Sequence, residues 1–177
     1  YGIFADQDGR TTMFDHDYET YGLSVGADHR LNDRLLIGLS AGGSATDVEY
    51  DAVTAEHDID TFHLGLYGTY DLVCWYLDAA LTYASNDYDS SRQTVGGTAV
   101  SEHDGNDLGA YLGAGRIFDI GKGWNLIPTA SIERTWHSED SFTETIGGAP
   151  FMFVDPDNAE SLLGRVGLRV NRMFDLG

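Results

Sequence analysis

The feature that most constrains this chain is a hydrophobic period of two that recurs along almost its whole length. Tyr21, Leu23, Val25 and Ala27 alternate with Gly22, Ser24, Gly26 and Asp28; Leu35, Ile37, Leu39 and Ala41 alternate with Leu36, Gly38, Ser40 and Gly42. Phe62, Leu64, Leu66 and Tyr70 then oppose His63, Gly65, Tyr67 and Thr69, and Trp75, Leu77, Ala79, Leu81 and Tyr83 oppose Tyr76, Asp78, Ala80 and Thr82. Leu108, Ala110, Leu112 and Ala114 continue the pattern, as do Leu126, Ala130 and Ile132, and Leu162, Val166, Leu168 and Val170. Successive side chains of a strand point to opposite faces, whereas a helix would place its apolar residues at i, i+3 and i+4. No segment sustains the helical stripe. The chain is all-β.

The joins between these segments also alternate. Short ones fall at Asn32-Asp33, Leu72-Val73 and Gly121-Lys122-Gly123, and longer polar ones at about 8–17, 50–58, 91–104 and 138–158. With 1–7 as a clipped first strand, the chain holds about eight strands in up-and-down antiparallel order. The others are long enough for the roughly 9–11 tilted residues that cross a bilayer. Short turns at one end and long loops at the other are the mark of a transmembrane β-barrel of the outer membrane, with the short turns periplasmic. Charge follows the same polarity: most of the 29 acidic residues lie in the long joins or the strand ends beside them, where Arg10 and Arg92 are the sole basic residues.

An apolar face alone fits a soluble core equally well. The second face separates the two readings, because it holds Gly, Ser, Thr, Ala and Tyr rather than the long charged residues of a water-facing sheet. Such residues suit the interior of a wide barrel. A soluble ligand-binding β-barrel stays open as the alternative.

Several functions are disfavoured. A net charge of −19 opposes the phosphate backbone, so nucleic acid is not expected as a partner. Cys74 is the only cysteine, which excludes an internal disulfide. No apolar run approaches the roughly 18 residues of a membrane helix, which leaves a membrane barrel open. His16, His29, His57, His63, His103 and His137 are dispersed without metal-ligand spacing, with His57 and His103 expected in outer loops and His63 in the lumen. There is no Gly-x-Ser-x-Gly elbow, and Asp6-Gln7-Asp8-Gly9 lacks the later ligands of a calcium loop. No catalytic residue, cofactor or metal site is expected, and the domain is expected not to be an enzyme. Carboxylates gathered at one barrel end offer a place for calcium or magnesium to bridge, against the simpler expectation of a solvated rim.

Asp78, Glu133, Arg165 and Arg169 share the inward parity of their strands and are the candidate lumen-lining charges. They would either pair across the lumen or face what occupies it. Arg116 and Arg134 fall on the outward parity, where a strand-end position or a bulge at Gly115 would reconcile them with lipid. Pro128 asks for a strand end, since it cannot donate to a ladder. Trp75, Phe118, Trp124 and Phe174 cluster near the short turns, and Tyr21, Tyr50, Phe62, Tyr83 and Trp136 near the long loops, as two interfacial bands would.

Five stretches in order, Tyr18-Glu-Thr-Tyr-Gly-Leu-Ser-Val-Gly-Ala-Asp-His-Arg, Asp58-Ile-Asp-Thr-Phe-His-Leu-Gly-Leu-Tyr-Gly-Thr-Tyr, Trp75-Tyr-Leu-Asp-Ala-Ala-Leu-Thr-Tyr, Ile127-Pro-Thr-Ala-Ser-Ile and Asp140-Ser-Phe-Thr-Glu-Thr, resemble the autotransporter β-domain. The resemblance implies an outer-membrane translocator that anchors a passenger domain of the same polypeptide and supports its export. Its partners would be outer-membrane lipid, lipopolysaccharide and the barrel-assembly machinery. It further implies a barrel of about twelve strands, of which 1–177 would be one part, with a plug helix before it and final strands after it. A passive porin-like channel shares the fold and remains the other reading.

Overall fold

A computed structural model describes residues 2–7, 16–50 and 54–172. It contains β1 (Gly2–Gln7), β2 (His16–Arg30), β3 (Leu35–Tyr50), β4 (Ala55–Asp71), β5 (Trp75–Thr94), β6 (Gly97–Arg116), β7 (Phe118–Gly121), β8 (Trp124–Glu139), β9 (Phe142–Ile146), β10 (Ala149–Val154) and β11 (Ala159–Arg172). All belong to one antiparallel sheet whose main path runs β1-β2-β3-β4-β5-β6-β8-β11. Each consecutive pair on this path is antiparallel, so the turns at 31–34, 72–74 and 121–123 share one end, and the strand ends at Tyr50, Ala55, Thr94, Gly97 and Glu139 share the other.

The eight expected strands are this main path, and β7, β9 and β10 are additions. β7 prolongs β6 beyond Ile117 and pairs with β8. β9 takes over the edge of β6 where β8 leaves it at Glu139, through Ala99↔Ile146 and Val100↔Thr145, and β10 folds back on β9. Gly147 and Gly148 have φ of 58° and 82°, the left-handed pair that a two-residue hairpin needs. The Gly121-Lys122-Gly123 turn has positive φ at all three residues. There the two glycines carry the conformation freely and Lys122 at a steric cost.

Three of the expected loops are strand instead. β3 runs to Tyr50 and β4 begins at Ala55; β5 and β6 form one hairpin joined only by Val95-Gly96; and 138–158 contains the β9–β10 hairpin. The period of two persists through these polar segments, but its polarity reverses. Asp47, Glu49, Glu56, Asp58, Asp60, Asp87, Asp89, Glu102 and Asp104 take the outward positions, and Val48, Tyr50, Ile59, Tyr88, Ala99 and His103 the inward ones. The expected loop at 8–17 lies mostly outside the described residues.

Ser24 of β2 reaches His63 of β4, 3.2 Å away across the intervening strand. Tyr67 of β4 likewise donates to Asp28 of β2 at 3.4 Å. Such contacts over a strand identify the concave side of a curved sheet. Ile37, Leu64, Leu77, Leu112 and Leu168 all lie on the convex side, with exposures from 39% at Ile37 to 65% at Leu168. Among the described residues only Ala55, Ala99 and Ile127 are buried apolar residues. A soluble sheet of this size would hide its leucines in a shared core. This one leaves them outside.

The outward face divides sharply along each strand. On β4 it reads Tyr70, Gly68, Leu66, Leu64, Phe62 and then Asp60, Asp58, Glu56; on β5 it reads Trp75, Leu77, Ala79, Leu81, Tyr83 and then, after Ser85, Asp87 and Asp89. The apolar part matches the roughly 9–11 residues of a tilted membrane strand. The acidic part extends past it into water.

Candidate functional site

The concave wall of the membrane-spanning region is built from small residues and tyrosines. The Tyr67 and Tyr76 rings lie where a Cβ on Gly38 and Gly115 of the paired strands would stand. Glycine thus makes room for a ring lying against the wall, which explains a surface rich in both residue types.

The four expected lumen charges all face the concave side, but they do not form one cluster. Glu133 and Arg165 pair at 2.5 Å between β8 and β11. Asp78 accepts a hydrogen bond from Thr69 at 2.8 Å. Asp78 and Arg165 stand in one register row, with Gly113 and Ser131 between them. Arg169 stands opposite Ile127 and makes no ion pair among the described residues. His63 faces the concave side, as the parity implies.

Beyond the membrane-spanning part the concave side carries a connected polar network that loop assignments concealed. Thr61 donates to Asn86 at 2.8 Å, and Asn86 donates to Asp107 at 2.7 Å. Asp107 meets His137 at 2.9 Å, and Glu139 lies 3.6 Å from the far nitrogen of His137 and 2.7 Å from His103. The His103 ring is stacked between Tyr88 (4.9 Å) and Phe142 (3.9 Å). His57 and His103, expected in loops, are therefore inward strand residues. His57 meets Ser90 at 2.6 Å. Its pKa is lowered, first by burial and then by His103. Burial, with Asp107 and Glu139 nearby, pushes the Tyr88 phenol up to about 12. Arg92 binds Glu144 through two hydrogen bonds, 2.8 and 2.5 Å. That pair fastens β9 to β5 and holds the Glu144 carboxyl below its ordinary pKa. Continuing the alternation past the polar boundary would have found these residues; loop assignment on composition did not.

On the convex side Arg116 does close β6, stacking 5.3 Å from the Trp75 ring centre and 4.6 Å from that of Phe118. No bulge occurs at Gly115, which pairs Tyr76 in unbroken register. Arg134 is not at a strand end. It pairs instead with Glu160 at 2.5 Å and stacks 4.9 Å over Trp136, which neutralises it and directs it toward an interfacial ring. Pro128 falls just past the last β6–β8 pair, Gly115↔Thr129, where the ladder to β6 has stopped. Tyr50 belongs to neither aromatic band, since it faces inward, edge-on to His57 at 5.6 Å. Phe174 lies outside the described residues, as do Asp8 and Gly9 of the Asp6–Gly9 segment. Among the described residues no group of three or more His, Cys, Asp or Glu has the geometry to hold a metal, and Cys74 is a free, exposed thiol beside its turn.

An up-and-down sheet with an apolar convex band and a polar concave wall defines the class: outer-membrane β-barrel. The family model for the autotransporter beta-domain matches residues 1–177, and the chain belongs to that family of outer-membrane translocators. Esterase EstA of Pseudomonas aeruginosa is 24% identical over 183 aligned positions, covering 99% of this chain and 28% of its own length. The curated relatives it matches are thus several times longer than the chain. Solved structures share the fold, among them two autotransporter domains. The translocator domain of autotransporter NalP from Neisseria meningitidis superposes with a TM-score of 0.77 at 14% identity, covering 88% of this chain and 55% of its own. The beta domain of the Bordetella autotransporter BrkA gives 0.73 at 24% identity, covering 92% and 65%.

Proposed function

We propose that this domain anchors a passenger carried in the same polypeptide and conducts it to the cell surface without catalysing a reaction itself. The observation that carries the proposal is the two-sided wall: leucines that only lipid can cover, behind a concave surface of glycine, serine, threonine and tyrosine. A chain crossing such a wall meets small hydroxyl groups and flat rings and few fixed charges. The acidic extension lies on the far side of the bilayer from the short turns, beside lipopolysaccharide, and the barrel-assembly machinery inserts the domain.

The test is surface display. The full-length polypeptide, produced in a Gram-negative host, exposes its non-barrel portion to protease added to intact cells. Replacing Leu64 and Leu112 together by Asp keeps the polypeptide out of the membrane fraction and abolishes exposure. A non-barrel portion that stays protected while the barrel is inserted would overturn the export reading. Ion conductance of the purified barrel in that case would favour a passive channel.

A further inference from the structure

The two ends of the convex face differ in charge. Toward the long connections the outward strand positions carry carboxylates. Toward the short turns, from Leu35, Tyr70, Leu77, Ala114 and Ala130 onward, they carry none among the described residues. They carry arginine instead. Arg116 lies opposite Trp75 in the outward row next to Leu77–Ala114, and no carboxylate comes within 4.0 Å of it among the described residues. Its guanidinium is held over Trp75 and Phe118, both of which are exposed to the surroundings of the barrel. Arg172 repeats the arrangement over Trp124, 5.4 Å away. Phe118 pairs Leu126, which pairs Val170, so the two arginines occupy one patch.

Stacking engages the flat face of a guanidinium and leaves its edge N–H donors unspent. Those donors form a fork that matches phosphate oxygens. An arginine at the lipid boundary costs little only near the interface, where headgroup phosphates stand. The two rings it lies over hold the guanidinium there and reduce the rotamer freedom lost on binding.

We infer that Arg116, clamped by Trp75 and Phe118, binds the phosphate of an anionic phospholipid headgroup in the periplasmic leaflet. The inference rests on the membrane reading above and adds a specific ligand to it. Lipopolysaccharide offers the same phosphate chemistry, but it lies at the opposite end, where the outward carboxylates repel it. The short-turn end meets phospholipid.

The experiment is native mass spectrometry of the full-length polypeptide, delipidated in mild detergent and titrated with phosphatidylglycerol, phosphatidylcholine or lipid A. Phosphatidylglycerol binds about tenfold more tightly than phosphatidylcholine, whose phosphate is the same but is already compensated by a choline cation that repels the guanidinium. Arg116→Gln removes that preference. Arg116→Lys, which keeps the charge but not the fork, retains part of it. Heat-dependent gel mobility checks that both variants are folded. An undiminished preference in folded Arg116→Gln overturns the inference, and so does lipid A competing equally for the Arg116-dependent site. A polypeptide that stays monodisperse without detergent and retains no lipid would instead overturn the membrane reading beneath it.

Discussion

The ring of Tyr67 lies over Gly38, its register partner on the neighbouring strand, in the space where any other residue would place a Cβ. That relationship fixes the ring flat against the wall and carries its hydroxyl toward Asp28. Gly38→Ala therefore displaces the ring into the lumen or strains the strand. The expected cost is about 1–3 kcal/mol, in the range of overpacking elsewhere, read as a lower unfolding midpoint in detergent. Tyr67→Ser should relieve most of that cost in the double variant. A Gly38→Ala domain as stable as the parent would show that the ring moves aside freely.

Asp58 stands directly between Asp47 and Asp89 on the adjoining strands, and Asp89 in turn faces Glu102. Like charges directly opposed in a sheet are destabilising, by a few tenths to about 1 kcal/mol each. The Asp58 carboxyl is accordingly raised, first by burial and then by Asp47. A carboxyl raised in the folded state binds more protons folded than unfolded just above the ordinary carboxylate value of 3.8. Its penalty is thus absent below that value and grows as pH rises through the folded pKa. Asp58→Asn should stabilise the domain at neutral pH, by less in high salt, and not at pH 3. A loss of stability at neutral pH would mean that the ladder is bridged by a cation, which titration with calcium or chelator would then reveal.

Arg92 and Glu144 tie β9 to β5, and Glu144 is nearly buried. Arg92→Ala strands that carboxylate, at a cost of about 1–3 kcal/mol. The loss is expected locally, as faster amide exchange and protease cutting in residues 142–154, with the membrane strands unchanged. Because the Glu144 carboxyl is depressed, its contribution is complete above the ordinary glutamate value and is lost as pH falls through the folded pKa. Hairpin protection in the parent, corrected for the intrinsic slowing of amide exchange in acid, should therefore fall with pH and reach the level of Arg92→Ala. Uniform acceleration across all strands would instead make the pair part of the global fold.

Glu133 and Arg165 are close, but both are exposed on the concave side. Water there screens the pair, so a double-mutant cycle with Glu133→Gln and Arg165→Gln should give a coupling below about 1 kcal/mol. A coupling above 3 kcal/mol would indicate a dry, plugged interior around them.

Much of the fold was legible locally because a strand's two faces are set by parity alone. The alternation through Leu64 or Leu112 named the membrane-facing residues, and the Asn32, Leu72 and Lys122 turns fixed the topology, since a short join permits only an antiparallel neighbour. The same parity put Asp78, Glu133, Arg165 and Arg169 on one face, the concave side of the sheet. Composition misled where polarity reversed. Asp58 and Glu102 looked like loop residues, yet they are the wet face of strands whose other face holds Ile59 and His103. Which residues meet was settled only by register and curvature. Arg165 reaches Glu133, 32 positions away, and Arg92 reaches Glu144, 52 positions away, distances over which a period of two carries no information. Sequence decides which side of the sheet a residue takes, because the pleat is local. Tertiary structure decides whom it meets there, because strand offset and the bend that sends β9 onto β6 belong to the whole sheet.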